Sequence, residues 1–173
     1  MSLVTRWAGL AGLAALLGGL VLAGFVLPPG DEVMERRLVA WARSGVVLLL
    51  ATGAAELLLR ARTMTGGDLG SGLAAVPTVL TRTHFGGVWI ARGAALLALL
   101  VLVGHRTRAA WMTALGAGLG VACTTALVGH AADRGDLSLR TLIDWLHVVA
   151  ATVWTGGLFC LAAVVLRRAR RWR

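Results

Sequence analysis

Five apolar runs constrain the fold of this chain more than any other feature of its sequence. A helix needs about 20 mostly apolar residues to cross the hydrocarbon core of a bilayer. Short segments of alternating polarity, which are typical of membrane β-barrels, are not visible. We therefore predict an all-α, polytopic helical bundle that forms a single transmembrane domain over residues 1–173, with spans at residues 7–27, 38–59, 85–103, 109–128 and 142–166.

The composition excludes several other classes of protein. Hydrophobic residues make up 58% of the chain and charged residues 14%, whereas a soluble domain carries about 25% charged residues. This balance excludes a soluble enzyme, a disordered tail and a secreted disulfide scaffold. The net charge of +9 comes from 17 basic residues, all of them arginine. Because they lie between the apolar runs and at the C-terminus, they indicate membrane orientation rather than nucleic-acid binding.

Arginines at the C-terminus orient the predicted bundle. Five of the last seven residues are arginine, and cytoplasmic segments of membrane proteins carry an excess of basic residues. We therefore expect a cytoplasmic C-terminus and, with five spans, an N-terminus on the outside. The first run is similar in length to a signal peptide, but its end at residues 20–25 (LVLAGF) is not a clean small-residue cleavage site. We interpret it as a true span.

In this topology, three of the four histidines fall in one layer near the outer face. His84 begins the third span, His130 ends the fourth, and His147 lies roughly 8 Å inside the fifth by helix rise. His105 lies alone at the inner end of the third span. Neutral imidazole binds copper, zinc, iron and nickel, so three helices would together supply a metal site. The alternative is that these histidines only bond water or backbone at the membrane interface.

Neighbouring residues fit such a site. Asp144 precedes His147 by three positions and shares its helix face, where a carboxylate would orient the imidazole or join the ligands; capping of the fifth helix is the alternative. Trp154 on the same face would wall the site from below or simply pack. Cys123, inside the fourth span, is a candidate soft ligand deeper in the membrane, although a buried free cysteine is more often a packing residue.

Charged and small residues inside the spans lead to two further predictions. Glu56 lies in the outer half of the second span and Arg92 near the middle of the third. Such charges are costly in lipid and are therefore functional candidates, but their depths differ by about 10 Å by helix rise, so their pairing stays open. Gly116 and Gly120 form a small-xxx-small pair, which predicts close contact among the third, fourth and fifth spans.

Three sequence blocks, in this order, resemble those of the copper resistance protein D family: residues 81–92 (TRTHFGGVWIAR), 129–131 (GHA) and 144–158 (DWLHVVAATVWTGGL). The resemblance covers residues 73–166, roughly the second half of the chain, and more loosely the second span. It implies a multi-pass protein of the bacterial inner membrane that takes part in copper transport or resistance and is not an enzyme. His130 and His147 match the motif histidines of the family, and His84 lies within its first block.

The resemblance also implies the surroundings and the partners of this protein. Lipid surrounds it, a periplasmic copper-binding protein is the expected partner, and nucleic acid is not expected. Many family members have more spans or a fused copper-binding domain. Because this chain has neither, a homo-oligomer or a partner protein is expected to complete transport.

Two alternatives remain open at this point. The same broad superfamily is similar to membrane proteins that hold b-type haem, which needs two imidazoles on facing helices. Two of the three outer histidines would then ligate haem for electron transfer, without the C-x-x-C-H motif of covalent attachment. The second alternative is a membrane scaffold or partner subunit, whose histidines lie only at the interface.

Overall fold

A computed structural model describes residues 3–26, 31–105, 107–128 and 138–166 of the chain. These residues form six α-helices and no strands, in agreement with the predicted fold class. The helices are α1 (Leu3–Val21), α2 (Glu32–Thr65), α3 (Leu69–Arg82), α4 (His84–Leu102), α5 (Arg108–Leu127) and α6 (Leu139–Cys160). Short π-helical turns, Leu22–Val26 and Leu161–Leu166, continue α1 and α6.

Five of these helices are long and apolar enough to cross a membrane, which confirms the predicted number of spans. They are α1 with its whole π-helical turn, α2, α4, α5, and α6 with part of its π-helical turn. Successive spans joined by loops alternate in direction, so α4 and α6 begin on the same side of the bilayer. Which side faces the cytoplasm stays a prediction from the arginine distribution.

Helix α1 forms the centre of the bundle. Four of its leucines are at most 1% exposed, and α1 packs mainly against α2 and α6 and also against α5. The buried leucines are Leu13, Leu16, Leu17 and Leu20. The first apolar run is therefore an integral packing element of this fold.

Glycines bring α1 into backbone contact with its two main neighbours. A Cβ atom on Gly45 of α2 would lie only 2.7 Å from the carbonyl oxygen of Gly12. On the other side of α1, a Cβ atom on Gly156 of α6 would overlap the backbone of Ala14, and one on Gly18 would overlap the backbone of Gly156. Small residues of this kind allow close approach of membrane helices.

The close contact predicted from Gly116 and Gly120 is wrong. A Cβ atom on either glycine would meet no atom within 4 Å. Gly118, which lies between them, is the α5 glycine that faces α1, since its Cβ would lie 2.9 Å from Leu17 Cδ2. Helix α5 packs against both α4 and α6, whereas α4 and α6 share no substantial interface.

Helices α2 and α3 form a hairpin. With 34 residues, α2 is about 51 Å long and exceeds the roughly 30 Å hydrocarbon core. Gly66 caps its C-terminal end, and both Gly66 and Gly67 have positive φ angles (85° and 118°), which glycine adopts without strain. Asp68 then caps α3 by accepting a hydrogen bond from the Ser71 backbone N–H. The segment that precedes the third predicted span is thus a separate helix, packed on α2 and α4.

Candidate functional site: exposed histidines and a polar helix junction

The described histidines do not converge into a metal-binding group. His84 is the first residue of α4, and His147 lies about 12 Å along α6 from its start by helix rise; both side chains are exposed. Among the described residues, no cluster of three or more histidine, cysteine or acidic side chains is placed to hold a metal ion. His130 lies outside the described residues, so the three-histidine site stays a prediction.

The rotation of α6 explains why His147 faces outward. The indole N–H of Trp145 donates to the carbonyl oxygen of Leu119 on α5 (3.0 Å), and Gly156 lies against α1. These two contacts fix the inner face of α6. Since residues two apart lie roughly opposite each other on a helix, the position of Trp145 turns His147 away from the bundle.

Asp144 and Trp154, the residues expected around His147, differ in their exposure. Asp144, one turn before it, is half-buried. Trp154 is 71% exposed, so within this chain it packs on the outer surface and does not wall a pocket. His105 is exposed beyond the last turn of α4, at the opposite end from His84.

The two cysteines are free thiols. Cys160 is buried in the core that α1 organises, which is the ordinary packing role of such a residue. Cys123 is partly buried in α5, and its role as a deeper copper ligand stays a prediction.

Glu56 and Arg92 form an ion pair between α2 and α4. Arg92 Nη1 lies 3.9 Å from Glu56 Oε2, and each side chain is only 12% exposed. The arginine side chain is long enough to reach toward the end of its helix. It therefore spans the difference in membrane depth that the sequence predicts between Glu56 and Arg92.

Other residues of the first sequence block hold the same junction together. The indole N–H of Trp89 donates to the carbonyl oxygen of Gly53 on α2 (2.8 Å). The guanidinium carbon of Arg60 lies 4.3 Å from the centre of the Phe85 ring, within cation–π distance. Phe85, Trp89 and Arg92 are spaced by four and three positions, so they share the α4 face that meets α2.

The start of this block joins α3 to α4. The Thr83 hydroxyl accepts from the Gly86 backbone N–H (3.0 Å) and donates to the Val79 carbonyl oxygen (2.6 Å). A Cβ atom on Gly86 would overlap the carbonyl groups at the end of α3. Sequence reasoning missed this structural role, although the four-and-three spacing and the T-x-F-G pattern contain the signal for it.

The helices and the buried interhelical charge pair define a multi-pass helical membrane protein. The chain belongs to the copper resistance protein D-like family, whose N-terminal domain matches residues 1–140. The copper transport protein CutJ of Bacillus subtilis (strain 168) is 31% identical over 141 residues. That alignment covers 76% of this chain and 25% of CutJ, so the chain spans about a quarter of its relative's length. No solved structure matches the chain.

The family predicted from the sequence is confirmed, but its predicted location in the second half of the chain is wrong. The match begins at residue 1 and ends at residue 140. It includes the first two sequence blocks and stops before His147 and the third. The first span was left out of the predicted resemblance and the second was included only loosely, because both consist largely of leucine, alanine, glycine and valine, which carry little family-specific signal.

Proposed function

We propose that this chain is a multi-pass protein of the bacterial inner membrane that binds copper and takes part in its transport or in copper resistance. The match of residues 1–140 to the copper resistance protein D-like family carries this proposal. The similarity to a protein named for copper transport supports it. Copper is the cargo here, and no catalytic step is assigned to the chain.

His84, His130 and His147 are the copper ligands in this proposal. Imidazole suits copper, and the described pair, His84 and His147, are both exposed on helices that begin on the same side of the bilayer. They are therefore open to an ion arriving from that side. The positive-inside rule makes this the periplasmic side.

Copper accumulation in cells tests the proposal. We expect bacteria that express the chain to differ in total copper, measured by elemental mass spectrometry, from cells with an empty vector. His147→Ala should bring the copper content back toward the vector level. His105→Ala is the matched control, because His105 is also exposed but lies at the opposite end of α4. Equal copper in the vector, wild-type and His147→Ala cells, at equal expression, would refute the proposal.

Asp144 is proposed to support the His147 ligand from one helical turn away. A carboxylate that orients a metal-binding imidazole typically contributes about 10–100-fold to metal affinity. We therefore expect Asp144→Asn to weaken copper binding by about tenfold, measured by competition with a chromogenic copper chelator. An unchanged copper affinity would show that Asp144 does not support the His147 ligand and is only a residue near the end of the helix.

A further inference from the structure

The ion pair between Glu56 and Arg92 is buried, yet hydrogen bonds do not complete it. Arg92 Nη1 and Glu56 Oε2 are 3.9 Å apart, which is longer than a hydrogen bond, and each side chain is 12% exposed. Arg92 Nε is buried and has no acceptor among the described residues. No described residue donates a hydrogen bond to the Glu56 carboxylate. The pair therefore balances charge without the hydrogen bonds that normally offset the burial of two ions.

The charges around Glu56 restrict what this carboxylate is able to bind. Arg92 acts on it most strongly, followed by Arg60 one turn along α2 and by the N-terminal amino group. The other described residues of the elements that pack on α2 bring no further charged group to it. A metal cation is repelled by the two arginines, and an anion is repelled by the carboxylate itself. A proton is the ligand that fits, because it neutralises Glu56 and needs neither space nor additional ligands.

Protonation of Glu56 has a structural consequence at Arg92. A neutral carboxyl group no longer offsets the arginine charge, and a buried charge without a partner is strongly unfavourable. The long arginine side chain then extends toward water, or the contact between α2 and α4 loosens. Phe85, Trp89 and Arg92 share the α4 face that meets α2. The contact along the first part of α4 therefore depends on whether Glu56 is ionised.

His84 connects this junction to the proposed copper ligands. It is the first residue of α4 and directly precedes Phe85, which lies in a buried cluster with Leu57 of α2 and Val79 of α3. A change in how α4 packs on α2 therefore moves the His84 imidazole. His147 is not connected in this way, because α6 shares no substantial interface with α4.

We propose that Glu56 is a reversible proton-binding site, and that its ionised form, by holding Arg92, keeps the start of α4 where His84 binds copper. The copper part of this inference rests on the proposed function. A proton from water binds a Glu56 carboxylate oxygen, which gives the neutral acid and releases Arg92; loss of that proton to water restores the ion pair. Acid thus weakens copper binding through Glu56, and by thermodynamic linkage bound copper displaces the proton.

Infrared spectroscopy of the full-length protein in lipid bilayers tests the proton site. Glu32, Glu35 and Glu56 are the glutamates of the chain, so Glu32→Gln with Glu35→Gln leaves Glu56 as the one glutamate to carry an isotope label. We expect its labelled carboxylic-acid C=O band to grow as the pH falls from about 8 to 5, where ordinary carboxyl groups stay mostly ionised.

The matched control for this titration retains Glu32 instead, through Glu35→Gln with Glu56→Gln. Glu32 is 72% exposed, so its labelled band should be much weaker over the same range. A labelled Glu56 that stays ionised as fully as Glu32 would overturn the proton site. Because the first variant leaves Glu56 and Arg92 unchanged, this test does not depend on the folding of a chain without the ion pair.

Addition of copper tests the coupling to His84. At a pH where the labelled Glu56 band is half-developed, copper should weaken the band, and His84→Ala should abolish this response. His105→Ala, at the opposite end of α4, should keep it. Bound copper that leaves the band unchanged would overturn the coupling and leave the proposed function standing. A chain that shows the pH-dependent band but binds no copper would refute the proposed function and the coupling, and confirm the proton site alone.

Discussion

Polar side chains lie inside the bundle at the α2–α4 junction, whereas on the outer face of α6 they point away from it. At the junction, Arg92 meets Glu56 and the Trp89 indole meets a backbone carbonyl, all inside the bundle. On α6, His147 and Trp154 turn away from the bundle although they lie within a span. Intramembrane polar residues that are satisfied within one chain explain the fold. Of those that are left outward, His147 is the proposed copper ligand.

The largest expected effect comes from breaking the buried charge pair. Removing one partner of a buried pair leaves an uncompensated charge, which typically costs about 3–5 kcal/mol. We expect Arg92→Ala to lower the free energy of unfolding by that order, measured by denaturant titration in mixed micelles. Replacing both partners, as in Glu56→Gln with Arg92→Gln, should cost less than the single change.

The exposed pair of Arg36 and Glu32 is the matched control for this experiment. Its side chains are 55% and 72% exposed, and such pairs contribute less than about 1 kcal/mol. Arg36→Ala should therefore change the unfolding free energy little. Comparable losses for Arg36→Ala and Arg92→Ala would show that the junction pair is not a buried structural contact.

A smaller but still clear loss is expected at the contact between α1 and α6. Gly156→Ala places a methyl group against the Ala14 backbone, and overpacking of this kind costs about 1–3 kcal/mol. Gly120→Ala is the control, since its Cβ would meet nothing within 4 Å. There the better helix propensity of alanine gives a gain of up to about 1 kcal/mol. A loss at position 120 equal to that at 156 would contradict the helix contacts described here.

The Trp89 hydrogen bond has a modest expected contribution. Trp89→Phe keeps an aromatic ring but removes the donor to the Gly53 carbonyl, and such bonds in membranes average about 0.6 kcal/mol. Trp7→Phe, at a position 66% exposed, should change nothing measurable. The same denaturant titration compares the two variants, and equal effects would argue against the junction bond.

The smallest effect concerns pH at the hairpin between α2 and α3. Hydrogen bonds from the Ser71 hydroxyl and backbone N–H to Asp68 lower the pKa of that carboxyl group. Because the pKa is lower in the folded state, the cap stabilises α3 above the unfolded-state pKa of Asp68. This contribution is lost as the pH falls through the folded-state value. The protection of the α3 amides, corrected for the intrinsic slowing of exchange in acid, should therefore fall as the pH is lowered. Ser71→Ala should make this fall smaller, because it removes the hydroxyl hydrogen bond that contributes most to the lowered pKa of Asp68.

The sequence was sufficient to predict the five spans, because 20-residue apolar runs have few other stable conformations. It underestimated the length of α2, because the polar ends of this helix continue past the apolar run at residues 38–59. It also placed Asp144 and His147 on one face of α6. The outward direction of His147 could not be predicted, because the rotation of α6 depends on contacts of Trp145 and Gly156 with other helices.

The copper content of the purified chain, measured together with its visible absorption spectrum on one sample, tests the central claim most directly. We predict bound copper that falls in His147→Ala and stays in His105→Ala, with no Soret band. Iron with a Soret band would instead establish the haem alternative. Neither metal in the wild-type protein would contradict a copper-binding function and favour a membrane scaffold.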